Sequence, residues 1–203
     1  MPSLEVSMRL PKVTSRAVLI FFLVSAAWLA LVISAPFLVP SGTLTDLTGR
    51  VGFHDNDQQF SSLSTLPHGI YWIGDAECHQ IAERSYFLNG NQMPFCARDL
   101  GLFFGIVAAF GLLTFYRFKI NPVFVLLALI PIGIDGGLQL VSDYESNNVL
   151  RLLTGVLAGA ALAMLIAHFL FVIQEDNEKS RRRAQVEADK MGGNPNGKPG
   201  KIR

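Results

Sequence analysis

The amino-acid sequence predicts an all-α membrane protein: four transmembrane helices, both termini cytoplasmic, with a small external loop/helix subdomain between helices 1 and 2. Three observations predict it. Half of the 203 residues are apolar (50%), only 16% are charged, and the mean hydropathy is +0.36, whereas a soluble domain carries about 25% charge. The charges are segregated: residues 17–40 and 100–116 carry none, residues 120–142 carry only Asp135, and residues 152–174 hold His168 as their one titratable group. The Lys and Arg residues cluster in short flanks that fall on one side of a four-helix arrangement. The same numbers exclude several classes. So few charges argue against a disordered chain. A net charge of +1 excludes electrostatic capture of nucleic acid as the main task. Two cysteines are too few for a disulfide-rich scaffold.

Each element follows from these runs. Residues 1–16 form a cytoplasmic flank with Arg9, Lys12 and Arg16. Residues 17–40 form transmembrane helix 1, because a span needs about 20 apolar residues. A signal peptide is the alternative there. The uncharged run exceeds the roughly 7–15 residues of a signal core, and Pro36 and Pro40 crowd the cleavage zone, so a retained helix is favoured. Residues 41–98 form the external subdomain, 99–116 helix 2, 120–142 helix 3, 143–150 an external loop and 151–174 helix 4. Arg117 and Lys119 join helices 2 and 3 on the cytoplasmic side; Lys179, Arg181, Arg182 and Arg183 follow helix 4. The tail, 175–203, continues helix 4 into water and ends in a disordered GGNPNGKPGKIR. This places the chain in the cell membrane as a multi-pass protein.

Within the external subdomain, residues 41–64 form a polar loop, and His54 and His68 sit in solvated turns rather than cation sites. Asp75 is the expected N-cap and Gly90 the stop of a short helix over 76–88. On such a helix Cys78, Ile81, Ala82, Ser85 and Leu88 share one face, while His79/Glu83 and Gln80/Arg84 form pairs four residues apart.

The ionisable groups nearest the hydrocarbon converge at the external end. Arg98 and Asp99 open helix 2. Asp135 and Gln139 share a face of helix 3. Glu145, Asn147 and Asn148 form the following loop, and Arg151 enters helix 4. Charges near a bilayer centre cost about 2.5–3.5 kcal/mol even on lenient scales, so they face the bundle and pair. Asp135 is expected to pair with Arg98 or Arg151, and Asp99 with the arginine left over. Gly101, Gly105, Gly155 and Gly159 have small-xxx-small spacing that lets helices 2 and 4 approach closely. Together these residues predict an outward-facing polar pocket roofed by the Cys78 helix.

Two blocks carry a resemblance. CHQIAERSYFLNGNQMPFCARDLGLFFG and the later DGGLQLVSDYESNNVLRLLTG are similar, in order, to the two blocks of a membrane family called domain of unknown function 2085. The likeness covers roughly 70–159 and rests on Cys78, His79, Gln80, Arg84, Ser85, Gly90, Cys96, Arg98, Gly101, Asp135, Gln139, Glu145, Asn147, Asn148 and Arg151. It implies a small multi-span membrane protein and no stated activity. Where the family carries a third cysteine this chain has Asp99, which counts against a three-thiolate site or a Cys-x-x-Cys pair.

The cysteines admit three readings. A Cys78–Cys96 disulfide would staple the external helix to helix 2, closing a loop worth about 3 kcal/mol in the chain-entropy model. Alternatively Cys78, His79, Cys96 and Asp99 bind zinc or another transition metal, although adjacent helical residues diverge by about 100°. A reactive thiol is the third reading. For function, the leading expectation is a pocket binding a lipid headgroup, a small polar ligand or a metal. Its anion-holding residues would be Arg84, Arg98 and Arg151, and its carboxylates Asp99, Asp135 and Glu145. The alternatives are a non-catalytic accessory or scaffold subunit with a structural disulfide, and a membrane-embedded metal-dependent hydrolase or transferase. Transport is disfavoured, since the polar groups stop halfway. The expected partners are membrane lipids and a membrane-protein partner or second copy, with no nucleic acid.

Overall fold

The structure, a computed structural model, describes residues 13–118 and 121–191. Arg9, Lys12, Lys119 and the tail end expected to be disordered (192–203) lie outside the described residues. Among the described residues, three helices are long and apolar enough to cross a membrane: Arg16–Leu38, Ala97–Phe115 and Asn148–Asp189. Helix α1 (Arg16–Ser34) runs on into a 3₁₀ turn, Ala35–Leu38. Pro36 lacks the N–H that would bond the Val32 carbonyl, which ends the α register there. Two four-residue-and-longer helices follow, α2 (Asp57–Phe60) and α3 (Thr65–Glu77). The chain then forms strands β1 (Ser85–Leu88) and β2 (Asn91–Cys96), and helix α4 (Ala97–Phe115). Helices α5 (Pro122–Leu127), α6 (Ile130–Val141) and α7 (Asn148–Met191) complete it. Helix α7 carries the apolar run into the charged EDNEKSRRRAQVEADK stretch, whose Glu, Lys, Arg and Ala residues are good helix formers.

The expected third span, 120–142, is not one helix. It breaks at Ala128–Leu129 into α5 and α6. Pro131 explains the break: it cannot donate to the Leu127 carbonyl, its ring crowds that oxygen, and α5 stops at Leu127. Neither half alone has the length of a span.

The helix expected over 76–88 is also absent. Helix α3 starts earlier, at Thr65, and ends at Glu77, so Asp75 lies in its last turn rather than at its start. Gln80 takes a left-handed φ of 46°, and a short 3₁₀ turn, Ala82–Arg84, leads into the hairpin. Asn89 and Gly90, at φ 51° and 70°, form the two-residue turn between Leu88 and its partner Asn91. An Asn-Gly pair between strands is the strongest local hairpin signal, because both residues tolerate positive φ. The register Ser85↔Cys96, Phe87↔Gln92 and Leu88↔Asn91 sets Cys96 at the base of the hairpin.

Buried amides hold the hairpin to the loops around it. Asn91 Oδ1 accepts from the Thr43 and Leu44 N–H groups, and its Nδ2 donates to the Pro36 carbonyl at 2.9 Å. Gln92 Oε1 accepts from Leu47 N at 3.0 Å, and the Tyr71 hydroxyl donates to the Gln92 carbonyl at 2.6 Å. These loops would otherwise bury unpaired backbone groups. One apolar cluster sits at this hairpin end, built on Val32, Leu44, Leu47, Phe60, Tyr71 and Met93. A second, with Val18, Phe110, Leu113, Ala167 and Phe171, joins α1, α4 and α7 further along.

Helices α4 and α7 form the closest pair. A Cβ on Gly101 or Gly105 would collide with the carbonyls of Leu152 or Val156, and one on Gly155 or Gly159 with those of Arg98 or Leu102. The expected small-residue seam is therefore the packing surface between these helices. It brings Arg98 alongside the first turns of α7.

Candidate functional site

The site is assembled at the hairpin end by chain reversals. Helix α3 delivers Cys78 at its C-cap, where its N–H bonds the Gly74 carbonyl at 2.9 Å. The left-handed Gln80 turns the chain back. The hairpin returns it to Cys96, the N-cap of α4, and Asp99 lies in that helix's first turn, where the helix dipole favours a carboxylate. Residues three apart on a helix share a face, so the Cys96 thiol donates to Asp99 Oδ2 at 3.1 Å.

Arg98 faces the other way. Its Nη2 donates to Asp135 Oδ2 at 2.6 Å and to Gln139 Oε1 at 3.3 Å. The Tyr144 hydroxyl donates to Asp135 Oδ1 at 3.4 Å. Of the two pairings open to Asp135, the Arg98 one forms. The expected pairing of Asp99 with the remaining arginine does not: Asp99 takes the Cys96 thiol, and Arg151 donates to Asn148 Oδ1 at 3.0 Å. Arg151 is only 3% exposed.

A cavity of about 70 Å³ lies between these elements, bounded by Cys78, His79, Gln80, Ile81, Arg84, Cys96, Arg98, Gln139 and Arg151. Three buried donors on its lining residues, Arg98 Nε, Gln139 Nε2 and Arg151 Nη2, have no hydrogen-bond partner among the described residues. Stranding a buried donor costs about 1–3 kcal/mol, more for a charged one.

The other expected residues divide by role. Arg84 Nη2 donates to Glu145 Oε1 at 2.9 Å, across an exposed edge. That hydrogen bond and the guanidinium charge hold the Glu145 carboxyl below its usual range. Asn147 Oδ1 accepts from Leu150 N at 2.9 Å and so caps the start of α7. Asn148 reaches the Ser85 carbonyl as well as Arg151. Gln80 is fully buried and spends its side chain on Pro94 and Asn56. His79 is exposed. Sequence reasoning missed Ile81 in the cavity wall and Tyr144 on Asp135. The latter stands next to Glu145 in a loop already marked as polar.

The expected Cys78–Cys96 disulfide is not formed; both cysteines are free thiols. The two sulfurs and an Asp99 carboxylate oxygen nevertheless all lie within 4.8 Å of one another. His79 is not in this group, so the four-residue metal set contracts to three. The neighbouring Cys96 sulfur, reinforced by burial, pushes the Cys78 thiol far up, while the same contact shifts Cys96 down.

Residues 78–165 match a family model described as a predicted membrane protein, DUF2085. An uncharacterised protein, MJ1492, of Methanocaldococcus jannaschii is 36% identical over 107 residues, covering 50% of this chain and 69% of the relative. An uncharacterised protein of Methanothermobacter thermautotrophicus is 42% identical over 91 residues, 43% of this chain and 82% of that one. The chain belongs to the DUF2085 family. The matched region runs from Cys78 into α7 and so contains the cavity-forming residues, whereas α1 and α3 lie outside it. No solved structure matches the chain.

Proposed function

We propose that this DUF2085 protein is a multi-pass protein of the cell membrane whose outward-facing cavity binds a phosphate-sized oxyanion, free or as the headgroup phosphate of a lipid. One observation carries the reading: three buried donors without partners among the described residues, two of them on guanidinium groups, belong to residues that line one small cavity. Unmet donors call for an acceptor, and planar guanidinium groups suit the oxygens of a phosphate or carboxylate. Size narrows the ligand further. Drug-sized or cofactor-sized ligands occupy about 300–1,000 Å³. A space of about 70 Å³ is well below that range and takes a small ion.

The membrane frame of this reading has four crossings, with α5 and α6 together as a Pro131-kinked third. Irregular backbone at membrane depth is tolerated where it is covered by protein or lines a cavity. Arg16, Arg117 and the Arg181–Arg183 cluster then share the cytoplasmic side, which follows the positive-inside rule. Residues 41–98 and the cavity lie outside.

The test uses the full-length protein in a maltoside detergent free of phosphate. Unfolding is followed with inorganic phosphate, with matched chloride, and with added phosphatidylglycerol. Ligand at a hundred times its Kd should stabilise the folded state by about 2.7 kcal/mol. Protection by inorganic phosphate identifies a free anion; protection by phosphatidylglycerol alone identifies a headgroup. Arg151→Gln should abolish either effect. No protection by either probe, or equal protection of Arg151→Gln, would refute the reading.

A further inference from the structure

We propose that Cys78, Cys96 and Asp99 form a binding site for a thiophilic divalent cation of the zinc class, with one coordination position open towards the cavity. The proposal goes beyond the oxyanion reading and stands on residues other than those with the unmet donors. Two sulfurs and a carboxylate oxygen meet there within 4.8 Å. In a tetrahedral zinc site, bond lengths of about 2.3 Å to sulfur and about 2.0–2.2 Å to oxygen put neighbouring ligand atoms about 3.5–3.8 Å apart. The observed triangle is therefore near the size an ion would draw together. One edge, Cys96 Sγ to Asp99 Oδ2 at 3.1 Å, has only to open slightly.

The three ligands come from positions that resist collapse. Cys78 caps α3, while Cys96 and Asp99 are fixed to the first turn of α4. Gly74 has no side chain, which lets α3 lie against the Pro94 carbonyl of β2 and so holds the two caps together. Both cysteines are also among the residues that line the cavity. Three protein ligands with a fourth position open is the pattern of catalytic rather than structural zinc sites. Binding replaces the two thiol protons, released to solvent, by a doubly charged cation. The local charge is then unchanged, and no additional counter-ion is required.

The experiment uses the full-length protein purified in detergent under reducing, metal-free conditions and titrated with Co(II) and then Zn(II). The expected result is stoichiometric cobalt uptake with a thiolate-to-cobalt charge-transfer band, displaced by zinc. Cys78→Ser and Cys96→Ser should each lose the band. Should those variants misfold, Asp99→Cys keeps the test open: it should retain stoichiometric cobalt with a stronger charge-transfer band. A wild-type protein that takes up no cobalt, or whose band is unchanged in a folded Cys96→Ser or Asp99→Cys variant, overturns the site. So does a chain whose two thiols oxidise to a disulfide in air while zinc gives no protection. Arg151→Gln separates the two readings: it should lose phosphate protection and keep cobalt.

Discussion

Replacing Gly155 by alanine tests the seam that positions the cavity. A Cβ at 155 would overlap the Arg98 carbonyl oxygen and stand 3.0 Å from the Leu102 nitrogen, where ordinary contact begins at 3.4 Å. All the atoms it meets are backbone, so no rotamer change relieves the crowding. Helices α4 and α7 must separate by about 1 Å at the level of Arg98, and overpacking of this kind costs about 1–3 kcal/mol. Alanine returns up to about 1 kcal/mol through helix propensity, so the net loss should be about 1–2 kcal/mol. Gly137→Ala is the matched control. Nothing lies within 4 Å of a Cβ there, so it should gain up to about 1 kcal/mol. Both variants can be unfolded from detergent with sodium dodecyl sulfate in a Trp72→Phe background. Trp28 then reports, because it packs edge-on against Phe95 and Phe103 of the hairpin and α4. If Gly155→Ala matched the parent, or if Gly137→Ala fell as far as Gly155→Ala, the close-approach argument would be wrong.

Asp135→Asn should destabilise the protein by about 3–5 kcal/mol in the same titration, since it leaves Arg98 without its counter-charge; an unchanged midpoint contradicts a buried ion pair. Asn91→Ala strands the Thr43 and Leu44 N–H groups, at about 1–3 kcal/mol for each one left buried. Amide exchange at those two positions should accelerate selectively, and uniform exchange across the chain would count against the role given to Asn91. The Arg84–Glu145 pair should respond to acid. Because the folded Glu145 pKa is lowered, its stabilisation is fully present above the unfolded value and lost as pH falls through the folded one. Protection from exchange in the loop around Asn147, corrected for the intrinsic rate at each pH, should therefore fall on acidification in the parent but not in Glu145→Gln, and identical profiles would dismiss a role for the pair.

The charge-free runs made α1, α4 and α7 legible, because membrane crossing constrains composition over some 20 residues. The glycine seam was legible for a related reason: four glycines at helical spacing leave little else to do. Local geometry was not. The segment from Cys78 to Leu88 satisfies a helical period, yet it is short, and Asn89-Gly90 is at once a helix stop and a hairpin turn. Tyr86 and Phe87 on one side and Phe95 on the other favour strands, and the hairpin prevails by pairing. At the site, the polar residues were recognisable by depth and sign. Their pairing was not, since Arg98 and Arg151 look equivalent to Asp135 by spacing alone and only the rotation of α4 and α7 about their seam separates them.

Helix α6 has a single buried side chain, and it is Asp135. Most helices are anchored by grease; this one is moored by a charge. Its grip consequently depends on dryness. In a low-dielectric setting the Arg98–Asp135 attraction is strong, and water reaching it weakens it several-fold. Arg98 of α4 and Gln139 of α6 both line the cavity, so whatever wets or fills that space acts on how firmly α6 stays docked.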